Sequence, residues 1–171
     1  LHKAIRRQRQ MCIRDRHISD NIMVLANGSI QQFSSPQTLY DQPNNLFVAK
    51  FIGEPVINTI PAQALSADLA NAVPEAILKQ AVTAGIRSEA IIPYDAGENV
   101  LAKFHGKITH SSKYGREATA DIDYNGERLL STEMAGVSNR QPELDFYITK
   151  SGFFLFDQSG ALIFGGESHA E

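Results

Sequence analysis

The chain has 171 residues, 43% of them hydrophobic, with 16 basic and 19 acidic side chains and a formal net charge of −3. This is enough for one domain, or a small domain with an appendage, to bury a core, and the near-neutral charge excludes a whole-molecule field that would gather nucleic acid or anionic lipid. The longest apolar runs, Leu46–Ile52 and Phe153–Phe156, fall far short of the roughly 20 residues that span a bilayer, and a lone Cys12 with no secretory signal pattern points to a reducing cytoplasm.

A leucine stands first, which reads as a piece of a longer gene product. Residues 1–16 carry Lys3, Arg6, Arg7, Arg9, Arg14 and Arg16 against Asp15. A nucleic-acid arm is one reading. The other, a disordered or misassembled terminus, fits better because no aromatic or apolar periodicity accompanies the charge, and residues 1–17 are assigned no function. Ile22–Leu25 and Ser29–Phe33 then read as two strands joined by a tight turn at Asn27-Gly28. Ser35-Pro36 is an N-cap and first-turn pair that predicts a short helix through Leu39 and Tyr40, ended by Pro43. Asn45 caps a second predicted helix through Leu46, Phe47, Ala49, Phe51 and Ile52, stopped by Gly53.

Glu54-Pro55 marks a predicted boundary, because the residue before proline is pushed out of the helical region and short β segments follow. Residues 64–79 read as two short helical turns or a loop around Pro74, and Ala81–Arg87 as a strand. In Ala102–Thr109, Ala102, Phe104 and Ile108 share one face, and Lys103, His105, Lys107 and Thr109 the other. Two more hairpins are predicted, one turning at Asn125-Gly126 and one at Asp157–Gly160, with the alternating strand Leu144–Ile148 between them. Five or more short strands without long helices predict a small OB-like β-barrel.

The chemistry-bearing motifs are mostly missing. No G-x-x-x-x-G-K-[ST] phosphate loop, G-x-G-x-x-G fingerprint, G-x-S-x-G elbow, H-E-x-x-H helix or Cys-x-x-Cys pair occurs. No catalytic, cofactor-binding or metal-binding residue is therefore assigned. Asp121–Gly126 opens like a calcium loop, but its twelfth position is Thr132, so the segment reads as a hairpin with solvent-facing acids. His105 and His110 have opposite strand parity and read as two exposed histidines rather than metal ligands. Lys107 and Arg116 near Tyr114 offer only one aromatic for stacking, so solvated loop charges are the simpler reading than an oligonucleotide surface.

Asp20–Pro61 resembles the junction of the maltose and glycerol-phosphate class of ABC importer ATPases. There a final ATPase strand pair runs into a "G-T-P-x-x-[IL]-Y-x-x-P-x-N-x-F-V-A-x-F-I-G" stretch, which Ser34–Gly53 follows with Ser34-Ser35-Pro36 in place of Gly-Thr-Pro. Gly85-Ile86-Arg87-Ser88-Glu89 is similar to the family's "G-[IV]-R-P-E" motif, Tyr114-Gly115-Arg116-Glu117 to its "L-G-x-E" turn and Leu155–Gly160 to its final "L-F-D-x-x-[ST]-G" hairpin. The resemblance covers about residues 18–166. It departs from the family at Ser88 and in a short stretch between Asn58 and Gly85. His17 is not the family's switch histidine, since no Thr-His-Asp surrounds it.

The resemblance implies a mainly β fold, with residues 18–55 as the α/β C-terminal tail of an ABC ATPase domain and residues 56–171 as an OB-like regulatory domain of the TOBE type. It implies ATP and Mg in the whole subunit but none in this fragment. It also implies a peripheral place on the cytoplasmic face of the membrane, permease subunits reached through the ATPase domain, a regulatory protein as a further partner, and no nucleic acid. A second copy is expected to meet the β-domain near Arg87, Glu89 and Gly115. The rivals are a stand-alone OB-like module for oligonucleotide or a small anion, and a stand-alone enzyme.

Overall fold

The computed structural model describes residues 20–114, 117–137 and 143–166. The basic segment 1–16 and the Gly115-Arg116 pair lie outside the described residues.

The chain opens with an antiparallel hairpin, β1 (Ile22–Ala26) and β2 (Ser29–Ser34), turned by Asn27 and Gly28, both at positive φ. Only a residue tolerant of the left-handed region fits such a turn, which is why Asn-Gly sits there. Ser35 Oγ then accepts the Thr38 amide at 3.2 Å and starts α1 (Pro36–Asp41), and Asn45 Oδ1 accepts the Val48 amide at 2.9 Å and starts α2 (Leu46–Phe51). Both caps satisfy orphan N–H groups of the first turn. Val24, Leu39, Val48 and Ile52 form a small core between the hairpin and the two helices. Buried Gln32 fastens the unit, donating to the Gln42 carbonyl and accepting the Asn44 amide.

Two antiparallel sheets follow. The first has the order β11-β10-β4-β3, from β3 (Asn58–Pro61), β4 (Thr83–Ile86), β10 (Phe153–Phe156) and β11 (Leu162–Gly165). The second has the order β5-β9-β6-β7-β8, from β5 (Ile91–Ile92), β6 (Val100–Tyr114), β7 (Glu117–Tyr124), β8 (Glu127–Ser131) and β9 (Glu143–Thr149). This five-stranded sheet curls into a half-barrel, so the fold is mainly β and OB-like, as expected. Between β3 and β4 stand α3 (Ser66–Leu69) and α4 (Glu75–Gln80), the second beginning right after Pro74. A proline is tolerated there because no intrahelical N–H is lost.

One core joins the sheets, with Ile60, Ile86, Phe153 and Leu155 from the first meeting Phe104, Ile122, Phe146 and Ile148 from the second. Phe104 stacks on Phe146 and meets Tyr124 edge-on, both with centroids 5.6 Å apart, geometries that suit the ring quadrupole. The expected alternation along β6 holds, with Phe104 and Ile108 buried and Lys103, His105 and Lys107 exposed. Asn58 ties the sheets at their rim: its amide donates to the carbonyls of Ile86 and Leu130 while its oxygen accepts the Leu130 amide at 2.7 Å.

Three expectations need adjusting. Asp121 does not face solvent freely; it is only 9% exposed and is held by Arg128 at 2.7 Å. A bulge between Ile108 and His110 breaks the strand alternation, so parity no longer relates His105 to His110, although both are exposed. Arg87, expected near the surface that meets a second copy, is only 1% exposed and so lies behind any such surface.

Candidate functional site

The most heavily built polar site surrounds Arg87, where the hairpin-helix unit meets the first sheet. Contact between the two starts in the backbone. The Leu46 amide donates to the Gly160 carbonyl at 2.8 Å and the Leu162 amide to the Asn44 carbonyl at 3.1 Å, and Asn45 bridges to Ala161. The β10–β11 turn thereby extends onto the loop before α2. Beneath it, Ala49 packs with Ile57, Phe154 and Phe156, all buried, and Leu46 and Leu162 flank them.

Arg87 follows directly on β4 and turns its guanidinium inward toward the helices. Nη1 donates to the carbonyls of Ala49 at 3.1 Å and Ile52 at 2.6 Å, and Nη2 to the carbonyl of Tyr40 at 3.0 Å. Ala49 and Ile52 lie at the C-terminal end of α2 and Tyr40 at that of α1, where carbonyls have no intrahelical donor and carry partial negative charge. A planar cation with several fixed donors satisfies such groups on two helices at once; a single ammonium cannot match that spread. The guanidinium carbon also sits 4.0 Å from the Tyr40 ring centroid and 5.7 Å from that of Phe154, so the aromatic faces share in stabilising the buried charge.

Neighbouring residues are shaped to this side chain. A Cβ on Gly53 would lie 2.7 Å from Arg87 Nη1, and its φ of +130° is one that side chains disfavour. A Cβ on Gly152 would lie 2.3 Å from the Ala90 Cβ and 3.2 Å from that of Arg87. Closing the outer edge, the Tyr40 hydroxyl donates to Glu89, which also accepts from Ser88 Oγ. Burial first, and then the Glu89 carboxylate, push the Tyr40 phenol well above its usual range, so it stays a donor at any physiological pH.

Of the residues expected at a self-association surface, the structure brings Arg87 and Glu89 together at this joint, with Arg87 enclosed and Glu89 exposed; Gly115 lies outside the described residues. A second feature is a groove of about 500 Å³ lined by Asp68, Asn71, Leu101, Lys103 and Lys150 among others. Two of its charges are engaged, Asp68 by the Tyr124 hydroxyl and Lys103 by Asp145 at 2.6 Å. Among the described residues, no group of three or more His, Cys, Asp or Glu side chains could hold a metal, and no helix is long and apolar enough to cross a membrane.

No protein-family model matches the chain. Individual proteins do. It is 28% identical over 165 residues to the lactose transport ATP-binding protein LacK of Rhizobium radiobacter, covering 85% of this chain and 45% of that protein. It is 30% identical over 165 residues to the alpha-glucoside transport ATP-binding protein AglK of Rhizobium meliloti, covering 84% and 43%. Against the sn-glycerol-3-phosphate import ATP-binding protein UgpC of Ruegeria pomeroyi, identity is 42% over 85 residues, covering 47% and 24%. The chain is homologous to the C-terminal part of ABC-importer ATP-binding subunits. It spans less than half the length of these curated relatives. The joint around Arg87 is therefore formed within the segment that the longer matches share, where the "G-I-R-S-E" residues Gly85 to Glu89 pack on the "F-V-A-K-F-I-G" residues Phe47 to Gly53.

Proposed function

We propose that the chain is the C-terminal part of the ATP-binding subunit of an ABC importer for sugars or related solutes, combining the tail of the ATPase domain at residues 18–55 with a TOBE-type regulatory domain at residues 56–171. The observation that carries this reading is the match to sugar-transport ATP-binding proteins along more than four-fifths of the chain. The hairpin supports it. Val24 and Gln32 are buried against the helices, yet Met23, Leu25, Ile30 and Phe33 on the other face are 48–60% exposed. Met23 stands opposite Phe33 and Leu25 opposite Ile30. A two-stranded ribbon apolar on both faces suits a strand pair with more protein above it.

On this reading ATP and Mg are held and hydrolysed by the ATPase domain that the relatives carry in the rest of their length, and this chain supplies regulatory contacts. The whole subunit works as a dimer beneath membrane-spanning permeases, on the cytoplasmic face of the membrane. The β-domain then tethers two copies and offers a surface to a regulatory protein. Glu89 is the exposed member of the proposed tether surface and Arg87 backs it from inside; Gly115 joins the surface by resemblance alone. The relatives' own solutes differ, from lactose to glycerol 3-phosphate, so no single solute is assigned.

A chimera tests the proposal: residues 20–171 replace the corresponding part of LacK in cells lacking that subunit, and lactose uptake is measured. Restored uptake, absent with truncated LacK alone, supports it. A stable chimera that associates with the permeases yet gives no uptake overturns it.

A further inference from the structure

The Arg87 site holds an observation that regulatory contacts do not require: one buried side chain donates to the C-terminal ends of two helices that lie 35–47 residues earlier in sequence. We propose that Arg87 is the positioning residue of the joint, fixing how α1 and α2 sit on the β unit. The inference concerns the joint alone and holds whatever solute or transporter the chain serves.

The contacts across this joint are unequal. The apolar ones, Ala49 against Ile57, Phe154 and Phe156, are non-directional and permit the helix to slide or turn on the sheet. The backbone bonds at Asn44, Leu46, Gly160 and Leu162 hold only the N-terminal end of α2. Its C-terminal end is held through Arg87, which also reaches α1. Removing the guanidinium frees that end while the N-terminal anchor remains, so α2 becomes a lever pivoting near Asn45. Gly53 leaves open the room that Nη1 occupies and Gly152 the room beside Arg87 Cβ, so neither position admits a side chain without moving Arg87 or its neighbour. The outer bond joins half-buried Tyr40 to the exposed Glu89 carboxylate, where solvent screening leaves it weaker than the enclosed Arg87 bonds.

Hydrogen exchange on the whole chain tests the proposal, comparing wild type with Arg87→Lys, Arg87→Met and Tyr40→Phe. In Arg87→Lys, amides at residues 49–53 are expected to exchange about tenfold faster or more, the size set by losing part of a charge-assisted fork. Amides of β6 and β9 keep their protection, and Tyr40→Phe leaves residues 49–53 unchanged. Arg87→Met shows the same local acceleration or, if three buried carbonyls without a donor are too costly, does not fold; either result agrees with the proposal only alongside the local effect in Arg87→Lys. Equal acceleration of the joint and of β6 and β9 in Arg87→Lys would make Arg87 a general core residue and overturn the proposal. So would unchanged exchange at residues 49–53, or an effect of Tyr40→Phe as large as that of Arg87→Lys.

Discussion

A chain that begins at Val56 tests how far the β unit depends on the hairpin-helix unit. The deletion removes Leu46 and Ala49 from the surface of the first sheet and uncovers one side of Ile57, Phe154 and Phe156, which are now 4%, 0% and 0% exposed. Full burial of such side chains contributes about 1.5–3 kcal/mol each, so about 5–9 kcal/mol for three. Each keeps its neighbours within the sheet, and the unfolded chain already buries part of this area, which leaves roughly 2–3 kcal/mol lost. Arg87 adds little to that loss, because the same deletion opens its site to water. Against a typical margin of about 5–15 kcal/mol, residues 56–171 should fold, but less stably. With a slope of about 1–3 kcal/mol per molar urea, the midpoint should fall by about 0.7–3 M. Urea titrations of the two chains, followed by circular dichroism and amide dispersion, measure it. An unchanged midpoint would refute the reasoning because the shared cluster would contribute nothing. A fragment without a cooperative transition would refute it from the other side.

The remaining predictions are narrower. Gly152→Ala sets a Cβ 2.3 Å from that of Ala90 and should cost about 1–3 kcal/mol; Ala90→Gly in the same chain should recover part of that cost, and thermal melts of both variants decide the point. Asp157 Oδ1 accepts the Ser159 hydroxyl and the amides of Ser159 and Ala161, and these bonds, the hydroxyl first, hold its carboxyl below the usual range. A carboxyl depressed in the folded state contributes stability that is present above its unfolded value of about 4 and is lost as pH falls through the lower folded value. Asp157→Asn should therefore flatten the acid limb of a stability-versus-pH profile below about pH 4, and a limb as steep as wild type would refute the assignment.

Much of this architecture was legible because it is local. Asn27-Gly28 and Asn125-Gly126 turn hairpins since both asparagines reach positive φ, 49° and 53°, and Ser35 and Asn45 cap helices within three residues of themselves. Alternation along Ala102–Ile108 set the buried face of β6 without knowledge of its partners. The joint was not legible. An arginine at a strand end reads as solvated, and the partners that bury Arg87 are backbone carbonyls with no residue signature. Hydrogen bonds and a shared core cross Glu54-Pro55, because packing does not follow the punctuation that proline supplies. Gly53 and Gly152 were the available signals, since each sits where a side chain would collide with Arg87 or its neighbour.

Asn58 sets an order of events in folding. Its partners lie 28 and 72 residues away, whereas the β6–β7 and β7–β8 ladders close over short turns. Chain closure over long separations is entropically slow and follows local pairing, so the Asn58 bridge is expected to form late in folding. Interactions made that late govern how fast the native state is left and have little influence on how fast it is reached. Asn58→Ala should therefore steepen the loss of native protein in an unfolding time course while refolding keeps its wild-type rate, so this single rim amide acts as a kinetic latch on the closed pair of sheets.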